Sequence, residues 1–580
     1  MFWRKKNKLN RVTLDFDEIL MDSRNIPSFD VQQFEGRIEQ SISKRTLWLV
    51  GLVFGLVMII FVGRLRILQI KEGNQYFIRS EDNSLNSQII FADRGVIFDR
   101  NNVELAWNER TEDMTDFDFS KRVYITSPGH NLLLGYIKYP QKDKAGNFWQ
   151  TYYEGLDGVE KAYNDYLNGD NGSRIIEVDV HGEVSSENIV NPPVHGLNLN
   201  LTIDSRLQSK MYEAIQNLSN DIGYLGGAGI MMDIKTGELL AITSYPEYGS
   251  KILSDGEDST LIQEFTQNPN KPFLNRAVGG LYSPGSTVKP FIALGALNEG
   301  IINENTHITS VGQIEVPSPY DENVVAIFRD WKKGGHGSTD VTKALAESVN
   351  TFFYAIGGGY RGQTGLGISR IEKYIKMFGI GNKTDIDILG EIAGVVPNPD
   401  WKKKTFNGDA WRLGDTYNTS IGQYGFQVTP VQMIRAVSAI ANGGQLLTPH
   451  VILEKPTEAR IIPTEFSTED FDLIKSGMRK VVTEGTGQVL NVSYIDIAGK
   501  TGSAQTGLQN KFINSWVVGF FPYEDPKYAF VFLMEKGPST AERSASFAAR
   551  EFFDWMKNNT PEYLGLPPKT PENPELTEGQ

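Results

Sequence analysis

Cysteine is absent from the chain, and its six histidines (His130, His181, His195, His307, His336 and His450) show no HxH or HxxxH spacing. The missing thiols exclude a disulfide scaffold, a Cys zinc site, a thiolate nucleophile and a Cys-ligated iron–sulfur cluster. The scattered imidazoles leave no His-rich metal site to expect. Positive charge is also short. The formal net charge is −14, which argues against a nucleic-acid binder with a basic face. Internal repeats and low-complexity blocks are lacking. What remains is ordinary globular composition, 40% hydrophobic and 22% charged. The 580 residues allow several structural units.

Long apolar runs are scarce too, and the sequence has one. Residues 46–63 carry no charge and, at 18 residues, can cross ~30 Å of hydrocarbon as a helix. Arg64-Leu-Arg66 follows, without the small-residue cleavage site of a signal peptide. A buried core helix of this length would normally carry a polar stripe. The run therefore reads as a single-pass transmembrane helix. Arg4, Lys5, Lys6, Lys8, Arg11, Lys44 and Arg45 precede it, while Arg64, Arg66 and Lys71 follow. That balance places the N-terminus in the cytoplasm and residues 64–580 on the periplasmic or extracellular side of the cell membrane.

Composition divides the rest. Residues 1–45 mix charge with scattered apolar residues and read as a disordered cytoplasmic tail. Residues 64–195 are polar with short β-like runs, and Asn191-Pro-Pro-Val-His195 signals a linker. From 196 to 560 the pattern is denser. Leu197 to Ile203 alternates at period two, as a half-buried strand does. Asp204 then caps a helical stretch. Residues 229–245 read strand, turn, strand, and residues 513–521 and 528–536 form two more strands around a turn. Residues 541–557 are helical in pattern, and residues 561–580, rich in Pro and Glu, read as a disordered tail. Hairpin-paired strands with long helical stretches between them indicate an α+β fold.

Three short motifs carry the chemistry. In Ser286-Thr-Val-Lys289, residues i and i+3 share a helix face, so the amine can reach the hydroxyl and, if neutral, take its proton. Alone the pattern is weak: about two Ser-x-x-Lys matches are expected by chance, and Ser41-Ile-Ser-Lys44 is another. Ser348-Val-Asn350 sits in a helix-like stretch and by itself would be a capping pair; Ser23, Ser84 and Ser186 begin the same pattern. Lys500-Thr-Gly502 follows an apolar strand and precedes small residues, which on an edge strand let a substrate backbone pair. Its duplicate, Lys235-Thr-Gly237, lies between two apolar runs and reads as a plain hairpin turn. Taken singly, each motif has a bland explanation; taken in order, that explanation fails.

In this order the motifs resemble those of the penicilloyl-serine transferase superfamily. Arg94-Gly-Val-Ile-Phe-Asp-Arg100 with Glu104-Leu-Ala106 resembles a signature of its class B penicillin-binding proteins, as does Gly155-Leu-Asp-Gly-Val-Glu160 with Tyr163 and Leu167-Asn-Gly169. Leu201-Thr-Ile-Asp204, Asn275-Arg-Ala277, Thr429-Pro430 with Gln432, and Asn442-Gly-Gly444 resemble further blocks. The chain departs from the family pattern at Asn101-Asn102, where Asn-Gly is usual. It departs again at Gly422-Gln-Tyr-Gly425, and at Ser503, where Thr is commoner.

The resemblance implies an architecture: an N-terminal anchor, a β-rich pedestal of the dimerisation type over 64–195, and a transpeptidase domain over 196–560 with a central antiparallel sheet flanked by helices. It implies a peptidoglycan D,D-transpeptidase that cross-links stem peptides through a Ser286 acyl-enzyme after release of D-alanine, in cell elongation or septal division. β-Lactams would be its covalent inhibitors. Carried over residue by residue, Lys289 is the base, Ser348 the proton relay and Asn350 a substrate clamp. Lys500 adds positive potential, and Thr501 and Ser503, on the Lys-Thr-Gly strand with Gly502, hold the substrate carboxylate. The backbone N–H groups of Ser286 and Ser503 form the oxyanion hole. Neither a metal nor an organic cofactor is implied. A SEDS-type glycosyltransferase of the membrane is the implied partner. A membrane-anchored D,D-carboxypeptidase, with water as acceptor, and a β-lactam-binding sensor of the same fold are the alternatives.

Overall fold

The computed structural model describes residues 44–73, 85–110, 119–178, 184–317, 321, 323–462 and 466–567. The expected cytoplasmic tail up to residue 43 and residues 568–580 of the expected C-terminal tail lie outside the described residues. Contacts divide the chain into two compact units, one of residues 1–86 and 175–188 and one of residues 87–174 and 189–580.

The first unit holds α1 (Lys44–Arg66), which continues as a π-helical turn over Ile67–Lys71. Its 23 residues, at ~1.5 Å each, span roughly 35 Å, enough for a hydrocarbon core. The helix starts before and ends after the 46–63 run, because the flanking Lys, Arg and Leu residues favour helix and no breaker intervenes. Its side chains are exposed on every face, with Trp48 at 80% and Phe54 at 70%. Among the described residues it is the one helix long and apolar enough to cross a membrane.

The second unit begins with a knot of buried charge. Arg94 Nε donates to Glu160 Oε2 at 2.6 Å, and Arg122 Nε donates to Oε1 at 2.8 Å. All three side chains are fully buried. Arg94 also donates to Asn168 Oδ1 at 2.5 Å and to the Glu160 carbonyl at 2.7 Å. The Arg94 and Gly155 sequence blocks are thus two halves of one hydrogen-bonded joint. Burial alone would push the Glu160 carboxyl up, but the two guanidiniums hold it below its usual value. From the same block, Asp99 Oδ2 accepts from the Ser205 N–H at 3.1 Å and hydroxyl at 2.7 Å. That contact ties the block to the start of the next helix.

The expected linker at 191–195 is instead pinned. Asp170 and Val194 exchange two backbone hydrogen bonds, and His195 Nδ1 accepts from the Asp93 N–H at 3.0 Å. Gly95 and Gly196 make this possible: a Cβ would lie 1.9 Å from the Leu197 carbonyl oxygen at one and 1.8 Å from the Leu167 carbonyl oxygen at the other. Pro and Asn marked a bend, but the close backbone approach removed its freedom.

Next come α2 (Ser205–Ile222), β1 (Gly226–Asp233), β2 (Leu239–Tyr245), α3 (Lys289–Asn298), α4 (Val341–Ala346), α5 (Asn350–Gly358), α6 (Pro430–Ala441), β3 (Ala498–Thr506), β4 (Phe512–Phe521), β5 (Tyr528–Pro538) and α7 (Ala545–Asn559). The strands form one sheet in the order β2–β1–β5–β4–β3, antiparallel throughout. Helices cover both faces, so the α+β reading with a central antiparallel sheet holds. Alternation decides the faces. Ile230, Met232, Val531 and Leu533 pack in the core shared with α3 and α6. Met231, Phe530 and Phe532 pack in a second core with Leu207, Met211 and Ile215 of α2 and Phe552 and Phe553 of α7. Asp204 caps α2 by accepting from the Arg206 N–H, as its sequence position predicts. Lys235-Thr-Gly237 is the hairpin turn between β1 and β2, with Asp233 Oδ1 accepting from the Lys235 N–H at 2.8 Å and Gly237 at φ +85°. Residues 561–567, expected in a disordered tail, partly pack down. Pro561–Leu564 form a 3-10 turn, Leu564 is buried, and the Tyr563 hydroxyl donates to Asp204 Oδ2 at 2.9 Å. Their apolar side chains outweigh the Pro/Glu composition of the segment.

Glu160→Gln leaves two buried guanidiniums facing a neutral amide. It is expected to destabilise the protein by about 3–5 kcal/mol, seen as a lower thermal midpoint, while the surviving folded fraction still reacts with a fluorescent penicillin at the wild-type rate.

Candidate active site

Ser286 sits in a 3-10 turn, Gly285–Val288, that runs straight into α3. Residues three apart eclipse in such a turn, so Ser286 and Lys289 face the same side. The turn is held on three sides. The Gly285 N–H donates to the Gly422 carbonyl at 3.0 Å, and Trp516 Nε1 donates to the Ser283 carbonyl at 3.0 Å. The Thr287 hydroxyl closes back on the Pro284 carbonyl at 2.8 Å. Glycine is required here twice. A Cβ on Gly285 would lie 2.9 Å from the Ser503 carbonyl oxygen, and one on Gly502 would lie 2.8 Å from the Pro284 carbonyl oxygen. The Ser286 turn and the Lys-Thr-Gly strand therefore touch backbone to backbone.

Ser348-Val-Asn350 departs from expectation. It does not sit in a continuous helix; it is the break between α4 and α5. Ser348 has φ 54°, left-handed for a non-glycine residue, at a cost of about 1–2 kcal/mol. The break turns the Ser348 carbonyl and the Asn350 side chain onto one atom. Lys289 Nζ donates to the Ser348 carbonyl at 2.8 Å and to Asn350 Oδ1 at 2.7 Å, with Ser348 Oγ at 3.3 Å. The Phe353 ring centroid lies 5.2 Å from the same amine. A neutral amine has two N–H bonds and one lone pair. Two acceptors occupied leave the lone pair for a hydroxyl proton. The Ser286 hydroxyl itself has no protein hydrogen-bond partner among the described residues, and the expected Ser286–Lys289 contact is not formed in the free site.

Lys289 is fully buried. Burial first, and the positive charge of Lys500 second, push its amine well below the usual lysine value, while Asp330 pulls the other way. Lys500 lies on β3, at the edge of the sheet, with Nζ donating to the Thr501 carbonyl at 3.0 Å. Burial brings it down to about 7. The Thr501 hydroxyl meets the Thr486 hydroxyl at 2.6 Å, and Ser503 is exposed. All eight residues singled out from the sequence thus stand around the junction of the Ser286 turn, the α4–α5 break and the edge strand.

Sequence reasoning missed several neighbours. Asp330, His336 and Thr351, all buried, cluster with the partly exposed Glu347 beside the α4–α5 break. No motif marked them: Glu347 and Thr351 adjoin Ser348-Val-Asn350, while Asp330 and His336 come from a separate segment. Gly422, at φ +76°, backs the Ser286 turn; its Cβ would meet the Gly285 carbonyl oxygen at 2.1 Å. Its place in the departing Gly422-Gln-Tyr-Gly425 segment was the one available signal.

Comparison with known proteins identifies relatives of both parts of the chain. The profile described as "Penicillin binding protein transpeptidase domain" matches residues 227–554, and that described as "Penicillin-binding Protein dimerisation domain" matches residues 118–201. The chain is 31% identical over 475 residues to "Peptidoglycan D,D-transpeptidase MrdA" of Haemophilus influenzae, covering 76% of this chain and 70% of that one. It is 31% identical over 433 residues to "Stage V sporulation protein D" of Bacillus subtilis, covering 72% and 62%. Among solved structures, a penicillin-binding protein (PBP2) from Helicobacter pylori, in complex with MreC, superposes with a TM-score of 0.67 at 28% identity, over 82% of this chain and 99% of that one. Pseudomonas aeruginosa PBP2, in complex with WCK 5153, does so with a TM-score of 0.66 at 28% identity, over 82% and 98%. With a dimerisation-type match ahead of a transpeptidase match that contains all three motifs, the chain belongs to the penicillin-binding proteins of class B.

Proposed function

We propose that this chain is the peptidoglycan D,D-transpeptidase of a wall-building cell, acting through a Ser286 acyl-enzyme in elongation or septal division. One observation carries the assignment of the nucleophile: a buried Lys289 amine, its hydrogens taken by Ser348 and Asn350, on the same side of the turn as Ser286. Ser286 Oγ attacks the penultimate D-alanine carbonyl of a stem peptide, and its proton passes to the Lys289 lone pair. The backbone N–H groups of Ser286 and Ser503 receive the oxyanion, in a site where such donors are worth ~10²–10³ in rate each. Collapse expels D-alanine, whose amine takes a proton relayed through Ser348. The amine of a neighbouring stem then attacks the acyl-enzyme, forming the cross-link and restoring Ser286. Thr501 and Ser503 hold the substrate's terminal carboxylate, Lys500 adds positive potential, and Asn350 bridges substrate and base. A β-lactam acylates the same serine.

The same reading assigns 64–195 to a pedestal and 196–560 to the catalytic domain, supported by the two profile ranges. It has α1 crossing the cell membrane once with the N-terminus in the cytoplasm, supported by the basic cluster ahead of it. It also has that helix meeting a SEDS-type glycosyltransferase, supported by apolar side chains exposed on all its faces.

Ser286→Ala is expected to abolish covalent labelling by a fluorescent penicillin on a denaturing gel, and labelling at the wild-type level would show the nucleophile to be misassigned. Lys289→Met should label slowly, about 10²–10⁴-fold below wild type, as loss of a general base predicts.

The pH profile of acylation tests the two lysines. The free enzyme needs Lys289 neutral and Lys500 charged. Since Lys289 is held low, its protonation cuts the rate on the acid side; since Lys500 lies at about 7, its deprotonation cuts the rate above that pH. Second-order acylation should therefore be bell-shaped, as free-enzyme groups dictate. Lys500→Arg keeps its charge to beyond pH ~12 and should remove the alkaline limb; an unmoved limb would assign it to another group.

A further inference from the structure

Outside the three motifs, one cluster built on two buried side chains grips both ends of the second. Asp330 follows the hairpin of Gln313–Pro317 and Val325–Arg329. Its Oδ2 accepts from the Thr351 N–H and from the Thr351 hydroxyl, each at 2.9 Å. His336 Nδ1 donates to Glu347 Oε2 at 2.5 Å, and its Nε2 lies 3.4 Å from Asp330 Oδ1. The Asp330 and His336 side chains are fully shielded from solvent. Trp331 packs edge-on against the His336 ring, with centroids 5.3 Å apart, and its Nε1 donates to the Glu347 carbonyl at 3.0 Å. Glu347 and Thr351 are the residues immediately outside Ser348-Val-Asn350.

We propose that Asp330 and His336 are positioning residues for proton transfer: they clamp the chain on either side of the Ser348 kink and so keep the Ser348 carbonyl and the Asn350 side chain on the Lys289 amine. A non-glycine residue at φ 54° persists only where its surroundings over-determine it. Its flanks are α4 and α5, both helical, so the relaxed alternative is one continuous helix. In that helix the Ser348 carbonyl would accept from the N–H four residues on and leave Lys289. The clamp opposes this because Thr351, in the first turn of α5, is fixed to Asp330, while Glu347, just after α4, is fixed to His336 and Trp331.

Asp330 adds an electrostatic component. The charged groups acting on Lys289 are Lys500 from β3, which disfavours the ammonium, and Asp330, which favours it. Those around the clamp are Glu347 and Lys343, whose Nζ donates to the His336 carbonyl at 2.7 Å. Removing the Asp330 charge leaves burial and Lys500 unopposed, so Lys289 protonates only at lower pH.

This inference rests on the assignment of Ser286 and Lys289 above. The test uses the full-length protein in detergent, with second-order acylation by a fluorescent penicillin measured across pH and thermal midpoints measured in parallel. Asp330→Asn keeps an acceptor for Thr351 but loses the charge; its acid limb should move to lower pH. His336→Gln should lower the plateau about ten- to a hundredfold, as a misplaced catalytic group does, with the limb unmoved and the midpoint near wild type. Wild-type plateaus and limbs in both variants overturn the proposal. So does a loss of rate that merely follows a lowered midpoint while the Asp330→Asn limb stays in place. Should either variant fail to fold, Thr351→Val deletes one of the two bonds to Asp330 and is read the same way: a lowered plateau at an unchanged midpoint supports the clamp, and an unchanged plateau overturns it. Persistent labelling of Ser286→Ala would instead mark failure of the nucleophile assignment, a result separate from these.

Discussion

A lysine can act as a base at neutral pH only if its ammonium form is penalised, and in this protein the penalty is desolvation. Every residue of α3 from Lys289 to Leu297 is buried, so the Lys289 amine lies in a stretch of helix otherwise without polar side chains. Such a helix needs apolar partners on all sides. The helices Gly367–Met377 and Thr468–Thr483, together with α5, supply them. Lys500 is the second buried amine, and its fall to about 7 corresponds to roughly 5 kcal/mol of unfavourable burial.

Burial sets the chemistry of the amine, while close backbone contact sets its geometry. Gly285, Gly422 and Gly502 each stand where a Cβ would overlap a neighbouring main-chain atom. Their absence of side chains lets the Ser286 turn fit between the 422–425 segment and the edge strand. Tyr424, at φ 64°, is the unusual residue of that segment. Its ring packs among Trp401, Phe406 and Trp411, with Lys402 Nζ 5.7 Å from its centroid. The aromatic packing and the cation hold a conformation that glycine would adopt freely. The departure from the family pattern is thus compensated locally, and Gly422 keeps its contact with Gly285.

The N-terminal signatures serve a different purpose. Arg94, Glu160, Asn164 and Asn168 are spread over two sequence blocks yet meet in one buried network. Asp99 carries that network to the N-terminus of α2 through Ser205. These residues lie apart from the Ser286 turn; through Asp99 the first block is tied to the start of α2. The membrane helix, by contrast, offers apolar side chains in every direction.

Much of this was legible in advance because it depends on local chemistry. The uncharged run at 46–63 marks a span, the apolar runs at 229–245 and 528–536 mark β1, β2 and β5, and Asp204 marks a helix start. The order Ser-x-x-Lys, Ser-x-Asn, Lys-Thr-Gly marks a serine acyl-transfer site. The sequence by itself therefore determined the fold class, the anchor and the residue types available for catalysis. Only the tertiary structure decided that Ser348 breaks a helix, that the 191–195 segment is pinned, and that Lys289 donates to Ser348 and Asn350. It alone brought Asp330 and His336 to the flanks of that break. The reason is physical: a hydrogen-bond partner and a desolvated charge are properties of what packs against a residue from distant parts of the chain, and no local pattern records them.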